Sequence, residues 1–347
     1  MRSYFHQREN RVRLGTVTSD WKMVGKGCPQ GSTFGPLLWN VFQNDLPLQV
    51  GEASISMYAD DHQVYVAGHT GEGVVKNLVK DGERLTQWYK DNLLQVNCDK
   101  YQCMLLGCEN TEEKIKLNID GEHIEQTHSI KILGVHIDDK LTFGLHISKI
   151  CKRVSKQVGV LNRLKNLIPT SAKLQLFKCA IIPHLTYCHL VWHFSRASDW
   201  RKLERLQEQA LRAVFNNTSD TYETLLQKAK LTTLYNRRLQ DILIMMHKVK
   251  SGLTPTYLTD LFQLNCEQER ESNFNLRNSD FRRVHYRTVT HGKHSISHLG
   301  PSLWAKLSKK ERTIKSLPEF RAMIRKKDLS AEINGCGTNC YLAQLSV

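Results

Sequence analysis

The chain has 347 residues, with 49 Lys and Arg against 34 Asp and Glu and a formal net charge of +15 at pH 7. This length accommodates two or three domains, and the absence of any apolar run of about 18 residues excludes a membrane-spanning helix. The ten cysteines are scattered, and no secretory signal begins the sequence. We therefore expect an intracellular protein with reduced thiols, nuclear or cytoplasmic and not secreted.

The hydrophobic periodicity of the first 138 residues predicts a mixture of helices and strands. Helices are predicted over residues 35–42 and 73–94, and strands over 54–67, 103–106, 115–119, 122–124 and 130–137. Residues 54–67 alternate as a hairpin, and Asp60, Asp61 and His62 are expected to form its turn. Helices on one face of an antiparallel sheet would make this part an α+β fold.

From residue 139 onward the pattern is helical. The clearest helix, over residues 147–164, has an apolar stripe that begins at Ile147 and ends at Leu164. Further helices are predicted over residues 200–215, 223–229, 234–249 and 319–327. Polar composition marks 265–298 as a linker or loop-rich region, followed by a basic helical tail (299–330) and a disordered end (331–347).

Charge is distributed unevenly between the two parts. Residues 1–138 contain 14 Lys and Arg against 18 Asp and Glu, a net charge of −4, whereas residues 139–347 contain 35 against 16, a net charge of +19. An acidic part followed by a strongly basic one suits a metal site beside a surface that binds a polyanion.

Four ordered motifs give the chain a family resemblance. They are GCPQGS at Gly27–Ser32, YADD at Tyr58–Asp61, NCDKYQCMLLG at Asn97–Gly107 and KILGVHID at Lys131–Asp138. A basic amphipathic segment, His146–Pro169, follows them. In this order and spacing they resemble the reverse transcriptase of non-LTR (LINE-type) retrotransposons. The resemblance implies a partial polymerase palm over residues 1–138, then an all-α thumb and helical region over 139–264.

The resemblance also implies roles for particular residues. Asp60 and Asp61 would be the catalytic carboxylates and would bind Mg²⁺, with Mn²⁺ as a substitute. Nucleotide and template contacts would come from Tyr58, Ala59, Gln30, Gly31 and Lys100. The primer grip would be Leu133 and Gly134. Nucleic-acid phosphates would contact Lys149, Lys152, Arg153, Lys156 and Arg163. The implied partners are an RNA template, a DNA primer or hybrid duplex, and dNTP, with no membrane and no other small ligand.

Some of these residues have plain structural explanations as well. Adjacent aspartates such as Asp60 and Asp61 are common in surface turns, and Gly27–Ser32 would also serve as a tight turn before a helix. Lys100, as a single lysine after a helix, is more typical of a solvent-exposed position. The basic residues of 147–164 would also suit the solvated face of an ordinary amphipathic helix.

The family places another catalytic aspartate on an earlier strand, in a Phe-Asp-x-x-x-His context. The only aspartate before Gly27 is Asp20, which lies in a Thr-Ser-Asp-Trp turn and is interpreted as a hairpin residue. We therefore expect a C-terminal fragment that lacks the fingers and the first catalytic palm strand, and that is inactive alone. A non-catalytic nucleic-acid-binding remnant of a mobile element is the alternative, and a degraded gene product with no selected role is a third.

Overall fold

The computed structural model describes residues 2–107, 116–262, 280–282, 285–286, 288, 292 and 295–330. Its chain divides into two compact units, Met1–His128 and Ser129–Val347, and each is described by itself. Residue 115, most of the loop-rich segment 265–298 and the tail 331–347 lie outside the described residues. None of the described helices combines the length and the apolar character that a membrane crossing needs.

The first unit consists of short helices and two-stranded hairpins. Its helices are α1 (Arg2–Phe5), α2 (Gly35–Phe42) and α3 (Gly71–Asp91), with 3₁₀ turns at Leu46–Gln49 and Cys98–Lys100. Its strands are β1 (Glu9–Asn10), β2 (Arg13–Leu14), β3 (Val17–Thr18), β4 (Lys22–Met23), β5 (Ser54–Tyr58), β6 (Asp61–Tyr65), β7 (Lys116–Ile119) and β8 (Glu122–Glu125). Helix α2 has the predicted bounds.

Two small cores hold this unit together. Leu46, Leu85 and Trp88 are buried between α3 and the β5–β6 hairpin, and a second cluster joins Leu117 and Ile119 to α3. The β7–β8 hairpin turns at Asp120–Gly121, where both residues have positive φ, as an Asp-Gly sequence predicts.

The predicted strand over residues 103–106 is wrong. Cys103 forms only an isolated bridge with Gln126, and its carbonyl oxygen accepts a hydrogen bond of 2.8 Å from the Thr127 amide. Every described sheet is an antiparallel pair of strands. The predicted α+β class is therefore confirmed in general, although the described residues form no sheet wider than two strands.

The second unit begins with a hairpin, β9 (Ser129–Ile132) and β10 (Val135–Asp138), and continues as helices. The single strand predicted over 130–137 is wrong, because Leu133 and Gly134 form a two-residue turn. Their φ values are 45° and 87°, the left-handed conformation that tight hairpin turns need at both central positions. This hairpin lies in the second unit, whereas the predicted domain boundary followed residue 138.

The helices of the second unit form two adjoining cores. They are α4 (Gly144–Leu164), α5 (Thr170–Leu176), α6 (Ile182–Thr186), α7 (Ala197–Phe215), α8 (Tyr222–Ala229), α9 (Leu234–Lys250), α10 (Thr256–Thr259), α11 (Ile296–Trp304), α12 (Lys309–Arg312) and α13 (Leu317–Ile324). A π-helical turn, Phe177–Ile181, separates α5 from α6. The first core centres on α4 and α7, and the second packs α9 against α11 and α13.

Candidate functional site

Asp60 and Asp61 lie at the tip of the β5–β6 hairpin, and both are exposed. Tyr58 pairs directly with Asp61, so the loop is Ala59–Asp60 and the predicted turn over residues 60–62 is wrong. Ala59 takes a left-handed φ of 54°, which costs a residue with a Cβ about 1–2 kcal/mol. Strain of this kind persists where the surroundings hold it, and it is frequent at functional sites.

Trp39 on α2 helps to hold that strained turn. Its indole nitrogen Nε1 donates a 2.7 Å hydrogen bond to the carbonyl oxygen of Ala59. The contact fixes the backbone of the turn that carries the two carboxylates. Among the described residues, neither Asp60 nor Asp61 forms an ion pair with Lys or Arg.

His62 anchors the other side of the hairpin. Its ring stacks against Tyr89 and hydrogen-bonds the Tyr89 hydroxyl, while Nε2 lies 3.0 Å from the Gln43 amide oxygen. Burial lowers the pKa of His62, and the nearby carboxylates of Asp60 and Asp61 only partly oppose that change. The His62 imidazole is therefore neutral at neutral pH and does not compensate the negative charge of Asp60 and Asp61 at the tip.

The Gly27–Ser32 motif forms an open loop before α2. Gly27 and Gly31 have φ values of 75° and 78°, and no atom would meet a Cβ added at either position. These glycines are therefore explained by backbone conformation and not by packing. Gln30 is exposed beside Gly31, and the Ser32 hydroxyl accepts a 3.1 Å hydrogen bond from the Gly35 amide at the start of the helix.

Lys100 ends the 3₁₀ turn that follows α3 and is exposed. Tyr58 is exposed next to the carboxylates, so the hairpin brings together Tyr58, Ala59, Asp60 and Asp61 by chain continuity alone. The roles assigned to Gln30, Gly31 and Lys100 stay predictions.

The donor set at the hairpin tip fits a hard divalent cation in part. Mg²⁺ commonly uses one or two carboxylates and fills its remaining positions with water or substrate phosphates. Asp60 and Asp61 supply two such carboxylates in an exposed position. Within the described residues, no group of three His, Cys, Asp or Glu side chains gathers that could hold a metal by itself.

The predicted primer-grip residues lie against helix α6. The Tyr187 hydroxyl, at the end of α6, donates a 2.6 Å hydrogen bond to the Leu133 carbonyl oxygen. A Cβ added to Gly134 would lie 3.4 Å from the Tyr187 ring. The turn is therefore fixed both by its own conformation and by a close neighbour.

Helix α4 has the predicted division into an apolar and a basic face. Its buried residues are His146, Ile147, Ile150, Val154, Val158 and Leu161. The five predicted phosphate-binding residues, Lys149, Lys152, Arg153, Lys156 and Arg163, are all exposed. The arrangement presents positive charge to solvent along about four helical turns, from Lys149 to Arg163.

Sequence reasoning missed a basic cavity next to this helix. It has a volume of about 320 Å³, and its lining includes Lys131, His136, His146, His184 and Tyr187. These residues belong to the hairpin, α4 and α6, which are far apart in sequence. The only sequence signal was a histidine at position 146 next to the apolar stripe, and that pattern is more typical of a core residue.

Comparison with known proteins identifies the relatives of this chain. Residues 2–137 match the reverse transcriptase (RNA-dependent DNA polymerase) family. The similarity that the motifs predicted is therefore confirmed for the part of the chain that contains the YADD hairpin. No solved structure matches the chain significantly.

Curated relatives come from insect mobile elements. The chain is 27% identical over 227 residues to "Probable RNA-directed DNA polymerase from transposon BS" of Drosophila melanogaster, covering 62% of this chain and 25% of that protein. It is 27% identical over 225 residues to "RNA-directed DNA polymerase from mobile element jockey" of the same species, covering 62% and 24%. A third relative, "Retrovirus-related Pol polyprotein from type-1 retrotransposable element R1 2" of Nasonia vitripennis, is 28% identical over 178 residues, covering 48% and 43%. The chain spans about a quarter of the length of the first two relatives.

Proposed function

We propose that this chain belongs to the RNA-templated DNA synthesis machinery of a LINE-type retrotransposon. Residues 1–138 would form part of the polymerase palm, and residues 139–264 the thumb and adjoining helices. The observation that carries the proposal is the exposure of Asp60 and Asp61 at one hairpin tip, inside the segment similar to reverse transcriptases. An intracellular location, nuclear or cytoplasmic, is part of the same proposal.

In this proposal Asp60 and Asp61 hold Mg²⁺, which would activate the primer 3′-hydroxyl and stabilise the pyrophosphate leaving group. Tyr58 and the strained Ala59 turn position the two carboxylates, and the bond from Trp39 keeps that turn in place. The other proposed nucleotide or template contacts are Gln30, Gly31 and Lys100.

We further propose that the chain does not polymerise DNA by itself. Polymerases use two metal ions held by several carboxylates, and the described residues offer only two carboxylates at the tip, with no third metal-binding side chain grouped with them. One hairpin therefore supplies part of the metal cage.

The second candidate function is nucleic-acid binding without catalysis. Residues 129–347 contain 36 Lys and Arg against 17 Asp and Glu, a net charge of +19. That excess, together with the exposed basic face of α4, favours sequence-independent contact with phosphates. This activity would be shared by the polymerase and by a remnant of it.

Primer extension with the full chain on a primed RNA template tests the catalytic part. We expect no extension above background with Mg²⁺ or Mn²⁺.

A second experiment tests metal binding by itself. Paramagnetic Mn²⁺ should broaden the NMR signals of Tyr58 and Ala59, and the double variant Asp60→Asn, Asp61→Asn should remove that broadening. Asp20→Asn, which changes an exposed aspartate in the N-terminal hairpin, is the control. Strong extension that Asp60→Ala abolishes would show that the chain is active alone, and an unchanged hairpin spectrum would contradict the metal-ligand assignment.

Binding of an RNA–DNA hybrid at several salt concentrations tests the proposed nucleic-acid binding. We expect affinity without sequence preference that falls steeply between about 50 and 200 mM salt. The variant Lys152→Gln, Lys156→Gln should reduce both the affinity and the salt slope, whereas Lys315→Gln, an exposed lysine before α13, should change little. Binding that is absent at low salt, or independent of salt, would contradict the electrostatic interpretation.

A further inference from the structure

Helix α2 holds the YADD hairpin on both sides of its two carboxylates. Nε1 of Trp39 donates a 2.7 Å hydrogen bond to the Ala59 carbonyl oxygen, and Oε1 of Gln43 lies 3.0 Å from Nε2 of His62. Trp39 and Gln43 are four residues apart, and residues at this spacing lie on the same face of a helix. The Gln43 amide closes the last turn by donating a 3.0 Å bond to the Trp39 carbonyl oxygen. One helix face therefore contacts the residue before and the residue after the two aspartates.

Gln43 is a buried polar residue, with 5% of its surface exposed. Burying an amide group is unfavourable unless it is hydrogen-bonded, and an apolar side chain would fill the same space without that cost. Because Oε1 of Gln43 can only accept, Nε2 of His62 is the donor in their contact. This bond is therefore what a glutamine offers at position 43 and an apolar residue would not.

The second ring nitrogen of His62 is held as well. With the proton on Nε2, Nδ1 of the neutral ring accepts, and the hydroxyl of Tyr89 on α3 donates to it. Burial raises the pKa of Tyr89 to about 12, so this hydroxyl keeps its proton at neutral pH. The two rings also stack, with centroids 6.0 Å apart. His62 is thus fixed by α2 through one nitrogen and by α3 through the other.

Aromatic contacts join α2 to α3 between these hydrogen bonds. Trp39 stacks on Phe42, with centroids 5.8 Å apart. Phe42 meets the edge of Trp88 at 5.7 Å, and Trp88 meets the edge of Tyr89 at 5.4 Å. This series of rings begins at the residue that binds Ala59 and ends at a residue that binds His62. The hairpin tip is therefore supported by one connected group of packed side chains.

The side chain of His62 determines where its neighbour points. Successive side chains of a strand point to opposite faces, so a His62 ring held by α2 and α3 places Asp61 on the other face, where it is exposed. Asp60 follows, because the pairing of Tyr58 with Asp61 leaves it in a two-residue loop. Metal ligands that are already ordered bind more tightly, since binding then costs less conformational entropy.

We propose that Gln43 is a positioning residue for Asp60 and Asp61, and that it acts through His62. The hydrogen bonds of His62 with Gln43 and Tyr89 hold both carboxylates in the orientation that binds the divalent cation. The inference deepens the proposed function, since it rests on the assignment of the two aspartates as metal ligands. The metal itself contacts neither Gln43 nor His62.

A Mn²⁺ titration of the full chain, followed by NMR, tests this role. Gln43→Met keeps the length of the side chain and removes its acceptor. The Mn²⁺ concentration that half-broadens the Tyr58 and Ala59 signals should therefore rise about 3–10-fold, the equivalent of one hydrogen bond. Tyr89→Phe keeps the ring and should have an effect of the same size. Trp39→Phe combined with Gln43→Met should weaken Mn²⁺ binding more than Gln43→Met alone.

Two controls separate positioning from stability. Gln63→Met makes the same change in the residue after His62 and should leave Mn²⁺ binding unchanged. Ile55→Val removes a methyl group from the partly buried face of the same hairpin and should lower the melting temperature without touching the network. A merely structural role would make the Mn²⁺ affinity follow the melting temperature in Gln43→Met and Ile55→Val alike. We expect the affinity to fall only in Gln43→Met, at temperatures well below both melting temperatures.

¹⁵N relaxation of the Asp60 and Asp61 amides gives a readout that does not need the metal. Both amides should become more mobile in Gln43→Met and should not change in Gln63→Met or Ile55→Val. Unchanged mobility in Gln43→Met would overturn the proposal, and so would an equal loss of Mn²⁺ affinity in Ile55→Val. A wild type that binds no Mn²⁺ would contradict the metal-ligand assignment of the proposed function, and the amide mobility alone then decides the positioning role.

Discussion

The hydroxyl of Tyr187 donates a 2.6 Å hydrogen bond to the carbonyl oxygen of Leu133 and so joins the β9–β10 turn to the end of α6. The two residues are 54 positions apart in sequence. This bond therefore ties the hairpin turn to a residue that also lines the basic cavity.

Tyr187→Phe should therefore loosen the turn without removing the ring. We expect a loss of about 0.5–1.5 kcal/mol, the usual net contribution of one neutral hydrogen bond. Amide hydrogen exchange at Gly134 and Val135 should become faster. Tyr257→Phe alters a tyrosine that is strongly exposed and should leave exchange at the turn unchanged. Unaltered exchange in Tyr187→Phe would show that the bond does not hold the turn.

Gly134→Ala should destabilise the second unit. The new Cβ would occupy a left-handed position, with φ of 87°, and would lie 3.4 Å from the Tyr187 ring. The expected cost is about 1–2 kcal/mol in denaturant unfolding. Gly159→Ala is the matched control because Gly159 lies within α4 with no atom near its Cβ position. That variant should be more stable by up to about 1 kcal/mol, and equal effects of the two substitutions would contradict the explanation.

Asp81 makes the first unit sensitive to acid. Its side chain is 1% exposed and accepts hydrogen bonds from the amides of Glu52 (2.8 Å) and Ala53 (2.7 Å). Burial acts to raise the pKa of Asp81, but these amides, that of Gly51 and the guanidinium of Arg84 outweigh it, so the pKa is lowered. A carboxylate with a lower pKa in the folded state stabilises the fold above its unfolded pKa of about 4 and loses that contribution as pH falls further.

Asp81→Asn should cost about 1–3 kcal/mol at neutral pH, because a neutral amide oxygen accepts the two backbone donors more weakly than the charged Oδ2 does, and the amide nitrogen would face the Arg84 guanidinium in place of Oδ1. The difference in unfolding free energy between the wild type and this variant should shrink below pH 4. Arg84→Gln removes only a half-exposed partner and should cost at most about 1 kcal/mol. A difference that stays constant with pH would contradict a charged Asp81 in the fold.

Helix α2 exposes its apolar side chains, including Leu37 (54%), Val41 (67%) and Phe42 (41%). Exposed apolar patches of this kind promote self-association. Leu37→Gln with Val41→Thr should therefore reduce light scattering and binding of an apolar dye, at a stability change within about 0.5 kcal/mol. The same two substitutions should leave Trp39 and its bond to Ala59 in place. Scattering that does not change would exclude α2 as the site of association.

Local patterns predicted some elements well. Helix α2 follows from its helical spacing and the β7–β8 turn from Asp120-Gly121, since in both cases the determinants are adjacent in sequence. The hydrophobic pattern missed the β9–β10 turn because Leu133 is apolar and residues 130–137 look like one continuous strand, and only the family resemblance placed a primer-grip turn at Leu133-Gly134. Its left-handed conformation is supported by Tyr187, which no local pattern could reveal.

In the candidate site, too, local sequence patterns did not reveal contacts between residues that are distant in sequence. The YADD motif located both carboxylates, but the turn position was wrong because the Tyr58–Asp61 pairing and the Trp39 contact decide it. The basic face of α4 was visible from periodicity. The cavity beside it was not, because three separate segments create it and one of its lining residues, His146, resembles a core residue in the sequence.

The π-helical turn at Phe177–Ile181 makes the number of residues between α5 and α6 important for the direction in which α6 presents its side chains. Pro183 follows it after one residue, Ile182, and in a regular α-helix the proline ring would collide with the carbonyl of residue 179. A wider turn contains the equivalent of one inserted residue, and each residue rotates an α-helix by about 100°. Deleting one residue here would restore regular winding and turn His184 and Tyr187 away from the β9–β10 hairpin. Homologous chains that keep this cavity should therefore share the exact residue count between Phe177 and Tyr187, even where the side chains between them differ.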